Sequence, residues 1–108
     1  MRMVDLMKLN KKDIQTISKI LYKNDPQGLA KLGAPKDEYN SEAKMILKFM
    51  QAAGVWDWHA VQILAWAIFA QAFSIKEAGE LGNYVGIGRD IHNADLNLYK
   101  DWYSKWKN

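Results

Sequence analysis

Two histidines, His59 and His92, each follow an aspartate by two positions, as Asp57-x-His59 and Asp90-x-His92, with Asp95 beyond. Imidazole and carboxylate would ligate a metal if the two segments faced each other. On a helix, however, residues two apart do not share a face. Neither segment carries the Glu-x-x-His of di-iron bundles or the His-Glu-x-x-His of zinc proteases, so no metal site is expected. A nucleophile needs a base and an orienting group within reach. Thr16, Ser18, Ser41, Ser74 and Ser104 are the only hydroxyl candidates besides tyrosine, and Ser41 and Ser74 have capping roles open to them. Gly82-x-x-x-Gly86-x-Gly88 lacks the Gly-Lys-Ser/Thr ending of a phosphate loop and follows no strand pattern. Neither catalysis nor a bound cofactor is expected.

What remains is chemistry suited to binding. Asp37, Glu38 and Glu42 form the main acidic cluster, with Tyr39 among them. They read as a negative patch for lysine or arginine of a partner. The competing account places these carboxylates at the positive N-terminal end of a helix, where they are stabilising, and gives Tyr39 a loop-packing role. A second set, Tyr99, Trp102, Tyr103 and Trp106, recurs at i, i+3, i+4 and i+7 among Lys100, Lys105 and Lys107. Aromatics with lysines stack bases and hold phosphates, or lie at a membrane surface. The same stripe would equally dock a terminal helix on a core.

The elements that must position these groups are helical. Asn10 is a good N-cap, Asp13 suits a first turn, and Ile14, Ile17, Ile20 and Leu21 recur at helical spacing until Asn24-Asp25-Pro26. Residues 25–40, punctuated by Pro26, Gly28, Gly33 and Pro35, predict a long loop, with Leu29 and Leu32 on a short helical turn pinned to the core. A second helix is expected from Asn40 or Ser41 to Ala53, with Ile46, Leu47, Phe49 and Met50 inward and Gly54 as its stop. Asp57 caps a third through Phe73, apolar almost all round and therefore central. Ser74-Ile75-Lys76-Glu77 reads as a capping box. Beyond it, Tyr84, Ile87, Ile91, Ala94, Leu98 and Trp102 keep helical spacing despite four glycines, with a break expected near Asn93 to Asp95. The expected fold is an all-α, single-domain bundle of four to five helices spanning 1–108, with a long ordered loop between the first and second helices.

Thirteen aromatic rings in 108 residues give a large area to bury. With no cysteine, disulfides, thiolate metal sites and a cysteine nucleophile are excluded. The first residues show no signal peptide, and the apolar stretch from Ala60 to Phe73 is too short to span a bilayer. A soluble, cytoplasmic protein is expected. The net charge of +3 comes from the first third, where seven cations face three carboxylates in residues 1–34. That permits contact with nucleic acid or anionic lipid, and an excess so small does not require it. The aromatic stripe serves a dimer as readily as a monomer core, so oligomeric state is left open.

The run Asp25-Pro26-x-Gly28-Leu29, then Gly33-Ala34-Pro35-x-Asp37-Glu38-Tyr39, then Glu42-Ala43, resembles a signature of a family of small helical bacterial proteins of unassigned function. Related sequences occur among immunity proteins of contact-dependent inhibition and other polymorphic toxin systems. The signature spans about a sixth of the chain. The resemblance implies a helical bundle that binds and neutralises a cognate toxin domain, such as a nuclease, by stoichiometric protein–protein interaction. Opposite potentials steer such associations, so in a chain of net charge +3 the weight falls on the local acids Asp37, Glu38 and Glu42. The alternative is a small basic nucleic-acid-binding or general interaction module.

Overall fold

In a computed structural model that describes residues 8–107, with side chains through residue 105, six α-helices and one 3-10 turn surround a contiguous apolar core. No strand occurs among the described residues. The helices are α1 (Lys11–Asn24), α2 (Asn40–Ala53), α3 (Trp58–Ala72), α4 (Ile75–Ala78), α5 (Val85–His92) and α6 (Asn97–Lys107), with the 3-10 turn Leu81–Tyr84 between α4 and α5.

Local chemistry starts and stops most of these elements. The Asn10 side chain accepts from the Asp13 amide at 3.1 Å, and Asp57 accepts from the His59 and Ala60 amides at 3.2 and 3.4 Å. Each satisfies first-turn donors that have no partner within the helix. Gly54, at φ 70°, closes α2 in the left-handed conformation that glycine adopts without a Cβ clash.

The helix count exceeds the expected four to five because the helix started at Ser74 stops after one turn, before the apolar stripe begins at Tyr84. Ser74 caps α4 through the Glu77 amide at 3.0 Å, yet α4 is a single turn. Gly79 ends it at φ 80° and ψ −160°, a conformation that side-chain-bearing residues avoid. Two aromatic side chains hold the resulting corner: Trp66 Nε1 donates to the Gly79 carbonyl and the buried Tyr84 hydroxyl to that of Ala78, both at 2.8 Å. The break after α5 falls at residues 93–96, in the expected region.

α3 is the hub, packing against α2, α4, the 3-10 turn and α5. Phe69 lies at its centre, with the rings of Tyr39 and Tyr84 each 5.7 Å away. α5 approaches α3 so closely that a Cβ on Gly88 would stand 2.6 Å from the Trp58 carbonyl oxygen. Asp13 is buried rather than a surface helix-dipole residue. Its carboxylate accepts from the Asn97 and Leu98 amides at 2.8 and 2.9 Å, so a residue of α1 caps the N-terminus of α6. That bond fixes where the C-terminal aromatic stripe lies.

Candidate partner-binding surfaces

Residues 25–39 form a succession of turns tied together by one carboxylate and one phenol. Asp25 follows α1 in the left-handed region, φ 49°, which aspartate tolerates better than most residues. From there Oδ1 accepts from the Ala30 amide at 2.9 Å and the Tyr39 hydroxyl at 2.7 Å, and Oδ2 from the Lys31 amide at 3.0 Å. The Tyr39 oxygen in turn accepts from the Gln27 and Leu29 amides at 3.2 and 3.4 Å. Tyr22 Oη closes the far side on the Ala34 carbonyl at 2.8 Å. Gly28 and Gly33, at φ 70° and 96°, turn the chain at two points within this segment. The backbone amides of residues 27–34 are therefore all satisfied within the loop, as a connection packed on a core requires, while the side-chain Nε2 of Gln27 is buried without a partner.

The electrostatics hold this arrangement at neutral pH. Burial pushes the Tyr39 phenol up to about 12, and its bond to the Asp25 carboxylate adds to the rise, so it remains a donor. For Asp25, desolvation acts to raise the carboxyl, but the bonds from Tyr39 and from the Ala30, Lys31 and Leu29 backbone outweigh it and leave the group lowered. A depressed carboxyl contributes stability that is complete above its unfolded value and is lost as pH falls through the folded one.

This geometry corrects two expectations. Tyr39 is fully buried, against Phe69 and under the loop, and does not reach the surface as a partner contact. Its hydroxyl is consumed by Asp25, Gln27 and Leu29. Leu32 is not pinned to the core with Leu29; it is 83% exposed, the most exposed large apolar side chain described. The glycine-bracketed turn sends Leu29 inward and Leu32 outward, which apolar spacing alone does not reveal. Asp37 and Glu38 are exposed on the turn that leads into α2, and Glu42 is half-buried on its first turn. The wired loop thus displays Leu32, Asp37 and Glu38 from one segment.

Glu42 also lies at the rim of an apolar groove of about 530 Å³ between α2 and α3, lined by Met45, Phe49, Leu64, Ala67 and Ile68. Phe49, expected in the core, is instead partly exposed on this groove, which no described helix covers.

The C-terminal stripe is divided. Tyr99 and Trp102 pack half-buried against the core, and Tyr99 Oη donates to the Ile91 carbonyl at 2.9 Å. Tyr103 is 68% exposed, and the side chain of Trp106 lies outside the described residues. With Gly54, Trp56 and His92, the described members line a notch of about 620 Å³. Sequence reasoning missed Trp56, which stacks on His92 at 5.6 Å and accepts through its carbonyl from His92 Nδ1 at 2.8 Å. His59 is elsewhere, stacked on Trp58. The two histidine segments are not brought into one ligand set, and no group of three metal-ligating side chains occurs among the described residues. Asp57 is occupied as a cap, and Asp90 accepts from Asn24 Nδ2 at 3.1 Å. No described helix is long and apolar enough to cross a membrane.

No family model, curated protein or solved structure matches the chain.

Proposed function

We propose that the protein works by binding another protein, through the loop of residues 25–39 and the start of α2. Within that class, the reading best supported is an immunity protein that acts in the cytoplasm and neutralises a cognate toxin domain stoichiometrically. The observation that carries it is the loop itself: a part-buried Asp25–Tyr39 bond of 2.7 Å ties down a segment that also exposes Leu32, Asp37 and Glu38. A few side chains that become buried on association carry most of the energy of an interface. A loop ordered in advance loses less conformational entropy on association. The signature shared with immunity-related sequences divides accordingly: Asp25, Gly28, Gly33 and Tyr39 shape the loop, and Asp37, Glu38 and Glu42 supply the charge that meets a basic toxin surface.

The test is recovery of the tagged chain from its native cell, with the co-purifying protein identified and then titrated. A one-to-one complex with a toxin domain encoded next door is expected. Asp37→Lys with Glu38→Lys should slow association and weaken binding by about tenfold or more, because opposing charges become like charges. Leu32→Asp should cost about 2 kcal/mol, roughly thirtyfold, at an anchor position. Neither change touches a buried contact, so the helical circular dichroism should not move. Unchanged affinity in both would remove the loop from the site.

One observation favours a second reading. Trp56 and Tyr103 are 55% and 68% exposed beside the notch, and stacking on aromatic side chains is how single strands are held without sequence preference. Recovery of nucleic acid alone, lost as salt rises, would move the function there.

A further inference from the structure

α5 sets two side chains against the two tryptophans at the entrance to α3. The Arg89 guanidinium carbon lies over the Trp58 ring, 4.6 Å from its centroid, and His92 stacks on Trp56 at 5.6 Å. Arg89 and His92 are three positions apart on the helix, so they are neighbours on one face, with Cβ atoms about 5–6 Å apart. Arg89 is exposed, and no carboxylate among the described residues pairs with it. Asp57 is occupied as a cap, Asp90 accepts from Asn24, and Asp95 pairs with Lys100 at 3.4 Å. An aromatic ring thus orders the guanidinium while its N–H donors stay open to an anion.

We infer that Arg89 and the notch beside His92 form one site for a nucleotide, with the base stacked among the aromatic residues and the phosphate on the guanidinium. Apart from Gly54, the notch is lined by aromatic residues alone: Trp56, His92, Tyr99, Trp102 and Tyr103. Such a lining takes either a flat ring or an organic cation. Arg89, one helical turn from His92, repels the cation and attracts a ring that carries negative charge. Guanidinium and phosphate match in shape as well as charge, since two N–H donors meet two oxygens. The Trp56 carbonyl can only accept, so His92 Nδ1 donates to it, and Nε2 of the neutral ring is the acceptor for an amino group of the base. A free nucleotide and the nucleotides of a single strand present this same chemistry. The loop of residues 25–39 takes no part, so the site stands apart from the partner-binding reading and does not depend on it.

The experiment is calorimetric titration of the full chain with adenosine and with adenosine monophosphate, for the native sequence, Arg89→Gln and Trp56→Leu. Both side chains are exposed, so neither change empties the core, and unchanged circular dichroism verifies that the variants fold. The monophosphate is expected to bind about tenfold or more tightly than the nucleoside, the effect of one charge-assisted contact. Arg89→Gln should abolish that difference and leave adenosine binding unchanged, whereas Trp56→Leu should weaken both ligands. A short adenylate single strand identifies the source: affinity no higher than that of the monophosphate assigns the site to free nucleotides, and higher affinity assigns it to a strand. Either result supports the site only if Arg89→Gln lowers it. Equal binding of adenosine and its monophosphate by the native chain overturns the inference by removing Arg89, although stacking in the notch would survive. No binding of either ligand overturns the whole site.

Discussion

Asp25→Ala is expected to destabilise the protein by about 3 kcal/mol and to weaken partner binding although Asp25 lies inside the loop. The carboxylate accepts from two amides and the Tyr39 hydroxyl, and hydrogen bonds to a charged group contribute roughly 1.5–3 kcal/mol each without being additive. Alanine also accommodates φ 49° less well than aspartate. Removal leaves the buried Tyr39 hydroxyl without its acceptor and frees the Ala30 and Lys31 amides. Chemical denaturation measures the stability loss, and hydrogen exchange at those two amides shows whether it is local. Asp25→Asn should lose less, because an amide oxygen still accepts. Equal stability of the alanine variant and the native protein would mean that the loop is held by its apolar contacts alone.

Gly88→Ala is the second large effect expected, at about 1–3 kcal/mol of destabilisation, the range for forcing volume into a packed interior. In an exposed helix the same change would stabilise, by up to about 1 kcal/mol. The sign reverses here because the new Cβ meets the Trp58 carbonyl oxygen at 2.6 Å and Gln62 Cβ at 2.9 Å. The oxygen is backbone and cannot rotate away, so α5 must move from α3. Moving α5 strains the bond between Gln62 Nε2 and the Leu81 carbonyl, 2.9 Å long. Gly82→Ala is the matched control: nothing lies within 4 Å of its Cβ. Its melting temperature should stay level or rise while that of Gly88→Ala falls. Equal melting temperatures would contradict the close α3–α5 contact.

These two positions show where sequence reasoning succeeds and where it stops. Asn10, Gly54, Asp57 and Ser74 were legible as helix boundaries because capping is local: donor and acceptor lie within four residues. The close approach that requires Gly88 was not legible, because it depends on which neighbour α3 brings against it. The break at Gly79 was not legible, since the capping box at Ser74 announces a helix start and only the Trp66 and Tyr84 bonds reveal the corner one turn later. Asp13 reads locally as a first-turn acid, yet its partners are 84 and 85 residues away. Of the candidate site, Asp37 and Glu38 were legible from charge. Tyr39 takes the loop-packing role that was one of its two readings, held by the Asp25 carboxylate, whereas Leu32 points outward, which apolar spacing does not reveal. Phe49 sits at helical core spacing and is partly exposed because no described helix covers that side of α2.

The Asp25–Tyr39 arrangement also bears on how an acidic signature serves a basic chain. A net charge of +3 sets the far field, but association is decided at contact, within about a Debye length of 8 Å at physiological salt. On that scale a rigid loop carrying two adjacent carboxylates and an apolar tip presents its own potential, whatever the first third of the chain carries.

The most direct measurement of the central proposal, that the wired loop is the recognition element, is amide hydrogen exchange of the full chain alone and in complex with the protein that co-purifies with it. The account predicts that exchange slows on binding at residues 29–38 and in the first turn of α2, with α6 unchanged. Slowing confined to residues 99–105 and to Trp56, with the loop unaffected, would contradict it and assign recognition to the aromatic notch.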